Sequence, residues 1–210
     1  MRITYIAAAA FGLALTAGSS AAPPAHAATP AATQAANPVG CASPVGRGDS
    51  AAALLRRFGR NARKETVPGA EGETSEAIVL YPRDAMRRIE VIYADARMLR
   101  PSSVTLRTGR SAWSVAGMRL GDSLDQVAQR NGRDFAMSGF EWDYGGYVTD
   151  LKGGALARLP GGCRVSIRLS LPANLASTPE TLMGDVQLQS NNPALRRVRP
   201  VVSALALSWR

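Results

Sequence analysis

Between Cys163 and Leu171 the chain alternates without a break. Cys163, Val165, Ile167, Leu169 and Leu171 are apolar, and Arg164, Ser166, Arg168 and Ser170 between them are polar. Successive side chains of an extended strand point to opposite faces, so this stretch has one buried face and one wet face. A strand of that kind belongs to an antiparallel sheet lying with one side on a core. It does not fit the doubly covered sheet of a parallel α/β fold. Cys163 then points inward, at the start of its strand.

The remaining periodicities agree with this. Ala77 to Tyr81 is a short apolar run; Ile89, Val91 and Tyr93 alternate with Arg88 and Glu90; Val104 and Leu106 alternate with Ser103, Thr105 and Arg107. The final stretch, Val201 to Trp209, is apolar on both faces and is expected to be central or well covered. Two or three short helices are expected among these strands. Asp49 or Ser50 caps a helix through Ala51 to Phe58, with Leu54, Leu55 and Phe58 as its apolar face. Asp122 or Ser123 opens a second, and Gly132 suits its left-handed stop. Pro193 at the first helical position marks a third. Strands and short helices without a regular βα repeat predict an α+β fold with a mainly antiparallel sheet and two or three short helices.

The N-terminus reads as an address. Arg2 precedes an apolar run of 12 residues, Ile6 to Ala17, and Ala25-His26-Ala27 is a small-x-small cleavage site. The run is shorter than the ~20 residues a membrane span needs. Residues 1–27 are therefore expected to be a signal peptide, and the mature protein to be periplasmic or secreted rather than integral to a membrane. Residues 28–48, rich in Ala, Pro and Thr, read as a flexible linker, and 49–210 as a single, monomeric globular domain. Cleavage leaves a net charge of +8 and no histidine, because His26 is the only one. That excludes Ser-His-Asp and Cys-His nucleophile systems and histidine-ligated zinc within this chain. No Asp-x-Asp-x-Asp-Gly loop appears, and neither metal nor cofactor is expected. In an oxidising compartment the two cysteines, Cys41 and Cys163, predict one disulfide closing a loop of about 120 residues. A rival reading makes Cys41 a lipid-attachment site, but it lies 24 residues beyond the apolar run.

The densest unusual stretch runs Asn131-Gly132-Arg133-Asp134-Phe135, then Gly139-Phe140-Glu141-Trp142-Asp143-Tyr144-Gly145-Gly146-Tyr147, then Lys152-Gly153-Gly154. Together with Gly121-Asp122-Ser123-Leu124, these residues resemble a family of exported bacterial proteins, a resemblance that implies no activity. Met118 to Val127 is similar to the opening helix of small outer-membrane assembly lipoproteins, which implies a role in assembly or quality control. Read from the residues, an extended chain puts Phe140, Trp142 and Tyr144 on one face and Glu141 and Asp143 on the other. Trp142 is then expected to pack inward and Asp143 outward. Two hairpin registers are open. A turn at Gly145-Gly146 sets Glu141 opposite Asp150; a turn at Gly153-Gly154, with Gly145-Gly146 as a bulge, sets Asp150 opposite Ala157 and removes the like-charge conflict.

The block is either core packing or the lining of a cleft for a glycan or peptide, with Trp142, Asp143, Tyr144 and Tyr147 as binding candidates. Glu141 and Asp143, with Asp150, are the clustered acids a glycosidase-like mechanism would need. Of the 25 basic residues 23 are arginine, dense at Arg56-Arg57 with Arg60 and Arg63, at Arg164 with Arg168, and at Arg196-Arg197 with Arg199. Guanidinium suits phosphate and carboxylate, so an anionic envelope component or an envelope protein is the expected partner. No nucleic-acid motif accompanies the charge. The reading is a non-catalytic binding module of the cell envelope. Its alternatives are a carboxylate-dependent hydrolase of envelope glycans and an outer-membrane assembly or quality-control factor.

Overall fold

A computed structural model describes Met1 and residues 37–69, 71–107 and 109–209. Residues 2–36, on which the expected signal peptide and most of the expected linker fall, lie outside that description. The elements run β1 (Asn37–Val39), α1 (Ala51–Phe58), β2 (Ala62–Pro68), β3 (Thr74–Leu80), β4 (Ile89–Tyr93), β5 (Pro101–Leu106), β6 (Trp113–Val115), α2 (Leu124–Asn131), β7 (Ala136–Ser138), β8 (Val148–Asp150), β9 (Arg164–Ser170), β10 (Gln187–Gln189), α3 (Pro193–Val198) and β11 (Val201–Ser208). The fold is α+β with mainly antiparallel sheets.

Local chemistry sets the helices where the sequence marks them. The Ser50 hydroxyl accepts from the Ala53 N–H and opens α1. Ser123 and Gln126 form a reciprocal capping box on α2, which Gly132 closes in the left-handed conformation at φ +75°. The Asn192 side chain accepts from the Ala194 and Leu195 N–H groups before Pro193 begins α3. On α1, Leu54 is fully buried and Phe58 half-buried, while Leu55 faces outward, against the expectation of a three-residue apolar face.

A six-stranded antiparallel sheet, ordered β2-β3-β4-β5-β11-β9, is the main platform. Its register sorts the residues into two faces. Ile78 opposes Val91, Val91 opposes Val104, Val104 opposes Leu207, and Leu205 lies between Leu106 and Ile167. These pairs form the core face, which joins Leu54, Leu124, Val127, Phe135 and Leu195 in one continuous cluster. The other face carries Glu65, Ala77, Ile92, Glu90, Thr105, Ala206, Ser166 and Arg168. As expected, β11 is flanked on both sides, with leucines toward the core and alanines toward the open face. β2 is not apparent in the sequence, because Ala-Arg-Lys-Glu-Thr-Val-Pro lacks apolar alternation. It is an edge strand whose Arg63 and Lys64 sit in water.

Two expectations are corrected. The linker does not extend to residue 48: β1 pairs in parallel with β6, and Val39 and Val45 are buried. The apolar contacts of two valines and the tether at Cys41 hold a segment whose composition reads as unstructured. Neither hairpin register occurs. β7 pairs with β8, setting Ala136 opposite Asp150, and the strands are joined by the nine-residue loop 139–147. Glu141 adopts φ +61°, which breaks the extended run and turns Trp142, Asp143 and Tyr144 away from strict alternation.

Cys41 and Cys163 form a disulfide, with Cα atoms 5.4 Å apart. The Cys163 N–H donates to Cys41 Sγ at 3.2 Å, and the Trp209 indole donates to the Cys41 carbonyl at 2.9 Å. The bridge spans 122 residues. In the chain-entropy model, closing a loop of that size in the unfolded state is worth about 4–5 kcal/mol. The double variant Cys41→Ser/Cys163→Ser is expected to unfold at markedly lower urea, with a loss of about 4 kcal/mol. An unchanged midpoint would mean that the bridge does not constrain the unfolded chain.

Candidate functional site

The open face of the sheet is not left flat to solvent. Loop 139–147 folds over the β9–β11 side, and the β2–β3 turn rises on the other. Between them lies a groove of about 840 Å³, within the size range of small-molecule sites. Its floor is built from short side chains: Thr105, Ser166, Ser170, Ser203, Ala204 and Ala206. Small residues on three adjacent strands leave the hollow that larger ones would fill. Ser203 sits where the β9–β11 register shifts. Its hydroxyl donates to the Arg168 carbonyl at 3.2 Å and accepts from Ser170 Oγ at 2.7 Å.

The wall is Trp142, Asp143, Tyr144 and Tyr147. Main-chain bonds fix its position. The Leu169 N–H donates to the Gly146 carbonyl at 2.8 Å, and the Gly146 N–H donates to the Gly139 carbonyl at 2.9 Å. Gly146 has φ +77°, and a Cβ on it would lie 2.0 Å from the Leu169 oxygen. Only glycine fits there. Ser138, buried at the loop's base, donates to the Tyr144 carbonyl at 2.6 Å and accepts from the Tyr147 N–H at 3.1 Å. Arg168 completes the anchorage. Its Nε donates to the Gly145 carbonyl at 2.9 Å and its Nη2 to the Asp143 carbonyl at 3.4 Å, while the guanidinium lies 5.1 Å from the Tyr147 ring centroid.

Phe140 is buried in the core, whereas the aromatic residues of the wall are neither core nor free. Trp142 is half-buried, its indole N–H donating to the Gly139 carbonyl at 3.2 Å, and its ring meets Tyr144 edge-on at 5.5 Å. The expectation that Trp142 packs inward is therefore corrected: the left-handed turn at Glu141 takes it out of the strand geometry that would bury it. Tyr144 is 45% exposed. Its hydroxyl donates to Glu71 Oε1 at 2.7 Å, spanning from the loop to the β2–β3 turn. That hydrogen bond to Glu71 pushes the Tyr144 hydroxyl above its ordinary range.

The acids separate in role. Asp143 lines the groove. Glu141 is turned to a shallow neighbouring depression that it shares with Asp143 and accepts from Thr178 Oγ1 at 2.8 Å. Asp150 leaves the cluster, its carboxylate accepting the Lys152 N–H in the turn after β8. Among the described residues, no group of three or more His, Cys, Asp or Glu is placed to hold a metal.

Sequence reasoning missed the floor and a line of charge beside it. Glu90, only 4% exposed, is bridged by Arg107 at 2.6 Å and Arg88 at 3.3 Å; Arg88 also reaches Glu65 at 2.8 Å. Burial works to raise the Glu65 carboxyl, but the hydrogen bonds from Arg88 and Arg63 outweigh it and hold the group below the usual carboxylate range. Arg107 thus enters the groove already neutralised. Arg168 enters it with carbonyl partners alone. The alternation of Arg164, Ser166, Arg168 and Ser170 was the signal for the floor, since it identified a wet face. The neighbouring strands that complete that face are found only from the register.

Asn131 and Gly154, both within the glycine- and aromatic-rich block, are scaffold. The Asn131 amide donates to the Arg133 and Leu151 carbonyls and its oxygen accepts from Leu156 N–H. A Cβ on Gly154 would sit 2.2 Å from that oxygen. Compared with protein-family models, curated proteins and solved structures, the chain finds no match.

Two alanine substitutions separate close approach from backbone conformation. Gly146→Ala is expected to cost about 3 kcal/mol or more, because it adds a clash with the β9 backbone to the strain of positive φ. Gly153→Ala, at φ +70° with open space around it, is expected to cost about 1 kcal/mol. Urea denaturation of the two variants checks the difference. Equal costs would show that loop 139–147 is not pinned to β9 through Gly146.

Proposed function

We propose that the chain is an exported, non-catalytic binding module of the cell envelope that takes a glycan in the sheet-face groove. One observation carries the reading: Trp142, Tyr144 and Tyr147 stand along one wall above a floor of hydroxyl and methyl groups. A sugar ring presents an apolar face and a rim of hydroxyls. Partly exposed aromatic rings offer the first a surface. Ser166, Ser170, Thr105 and the Asp143 carboxylate offer the second donors and acceptors. Much of the wall is held by backbone hydrogen bonds, so little ordering would be lost on binding.

Export rests on the signal-like N-terminal sequence, and the Cys41–Cys163 bridge is compatible with an oxidising compartment. No helix among the described residues is long and apolar enough to cross a membrane.

Binding is preferred over hydrolysis for a reason of environment. A glycosidase's acid needs a carboxyl kept protonated, ordinarily by an apolar pocket. Glu141 and Asp143 are both exposed. Glu141 is also engaged by Thr178 and lies outside the main groove.

Titration calorimetry with soluble peptidoglycan glycan strands and lipopolysaccharide core oligosaccharides tests the reading. The expected result is saturable binding of one of them, weakened at least tenfold by Trp142→Ala, a loss of about 1.4 kcal/mol. The melting temperature of the variant should shift little, because Trp142 is half-buried. Binding of neither probe, or equal binding by the variant, overturns it.

A further inference from the structure

A second pocket, separate from the groove, gathers positive charge from two stretches of chain. It lies where the single-turn helix Gly59–Asn61 meets the segment following β3. Arg60, Asn61, Arg83 and Arg87 line it together with Tyr81 and Asp84. Three arginines and one aspartate line the same pocket. The aspartate carboxylate is fully engaged. Asp84 Oδ1 accepts from the Met86 and Arg87 N–H groups, and Oδ2 accepts from Arg87 Nε at 2.8 Å. The Arg87 hydrogen bond holds Asp84 below the usual carboxylate range. No carboxylate among the described residues lies within ion-pair distance of Arg60 or Arg83. Two positive charges are therefore left over around one small concavity.

The pocket has a rigid base. Arg87 lies over the Tyr81 ring at 4.3 Å, and Tyr81 stands between Phe58 at 6.0 Å and Trp113 at 6.1 Å. The Trp113 indole donates to the Arg87 carbonyl at 2.8 Å, tying the arginine's own backbone to the core. Tyr81 holds φ +52°, a conformation that a non-glycine residue keeps only where surrounding contacts over-determine it. Here the Tyr81 N–H donates to the Asn61 carbonyl at 2.7 Å, which brings the two arginine-bearing stretches together. Arg60 and Arg83 converge because of that junction.

The pocket is small, about 140 Å³ against about 840 Å³ for the groove, and it offers room for a compact tetrahedral oxyanion. Guanidinium presents paired N–H donors that match such oxygens.

We infer that this pocket is a binding site for a phosphate group, held by Arg60 and Arg83 with Arg87 as a stacked third donor. The site is independent of the groove. Its phosphate belongs to a phosphorylated sugar or to a lipid headgroup, and the chemistry of recognition is the same for both.

The test uses the whole mature protein and the double variant Arg60→Gln/Arg83→Gln, with circular dichroism to confirm that its fold is retained. Inorganic phosphate is titrated at constant ionic strength, with binding followed by phosphorus NMR. The wild-type protein is expected to bind it saturably, and the double variant at least tenfold more weakly. Trp142→Ala, which alters the groove, should bind phosphate as the wild type does. Glucose 6-phosphate and vesicles of phosphatidylglycerol in phosphatidylcholine then identify the source, the double variant losing whichever the pocket accepts. If inorganic phosphate does not saturate the wild type, or if the double variant binds it equally well, the inference is wrong.

Discussion

The closest approach of loop 139–147 to strand β9 is backbone to backbone, at Gly146. The Gly146 carbonyl takes the Leu169 N–H, and the absent Gly146 side chain is what lets the two chains approach so closely. From that contact the rest of the candidate site follows. Gly145 and Asp143 turn their carbonyls to the Arg168 guanidinium. Tyr147 comes under the same guanidinium, and Trp142 and Tyr144 are held above the sheet instead of in it. With the loop displaced, the floor of Ser166, Thr105 and Ala206 would be an ordinary solvated sheet face. With it in place, the face becomes one side of a groove.

The two faces of the six-stranded sheet solve different problems. One carries branched aliphatic residues in register across all the inner strands and supplies the stability. The other must stay soluble while keeping a concave surface. It does so with small residues in the β5–β11–β9 half and with the chain Glu65–Arg88–Glu90–Arg107 in the β2–β4 half. Glu90 is buried between two arginines. An ion pair in that position is costly to break, because either partner left alone is an uncompensated buried charge. The chain of pairs therefore fixes Arg107 against the sheet and removes it as a free cation. Arg168, hydrogen-bonded to carbonyls, stays in the groove as a cation without a carboxylate partner, beside the Asp143 carboxylate that also lines it.

Much of this was legible in the sequence wherever one residue type has one physical reason to be in place. Ser50, Ser123, Gly132 and Pro193 marked helix ends through the backbone groups they satisfy or release. The alternation at 163–171 marked a half-wet strand, and with it the inward position of Cys163. Legibility failed where tertiary contacts overrode local composition. Asn37 to Gly48 reads as linker, yet it is held by a parallel bridge to β6 and by the disulfide. Ala62 to Pro68 carries no apolar alternation to mark it, yet it is an edge strand paired along its whole length with β3. The aromatic block was recognised as unusual, and Trp142, Asp143, Tyr144 and Tyr147 do share one groove. Its geometry was misjudged, because Glu141 in the left-handed region ends the extended run that alternation presumes. Arg168, Ser203 and Thr105 lie on three strands far apart in sequence, and only the register brings them together.

The three tryptophan indoles give the account its most direct test, since each makes a different internal hydrogen bond: Trp113 to the Arg87 carbonyl, Trp142 to the Gly139 carbonyl and Trp209 to the Cys41 carbonyl. Of these, only Trp142 borders the groove. In proton–nitrogen correlation spectra of the mature protein titrated with soluble peptidoglycan glycan strands or lipopolysaccharide core oligosaccharide, the Trp142 indole signal should move in a saturable way. The Arg168 Nε–H signal should move with it, and the Trp113 and Trp209 indoles should stay in place. Shifts confined to Trp113 or Trp209, or a spectrum unmoved by both glycans, would contradict the assignment of the sheet-face groove as the binding site.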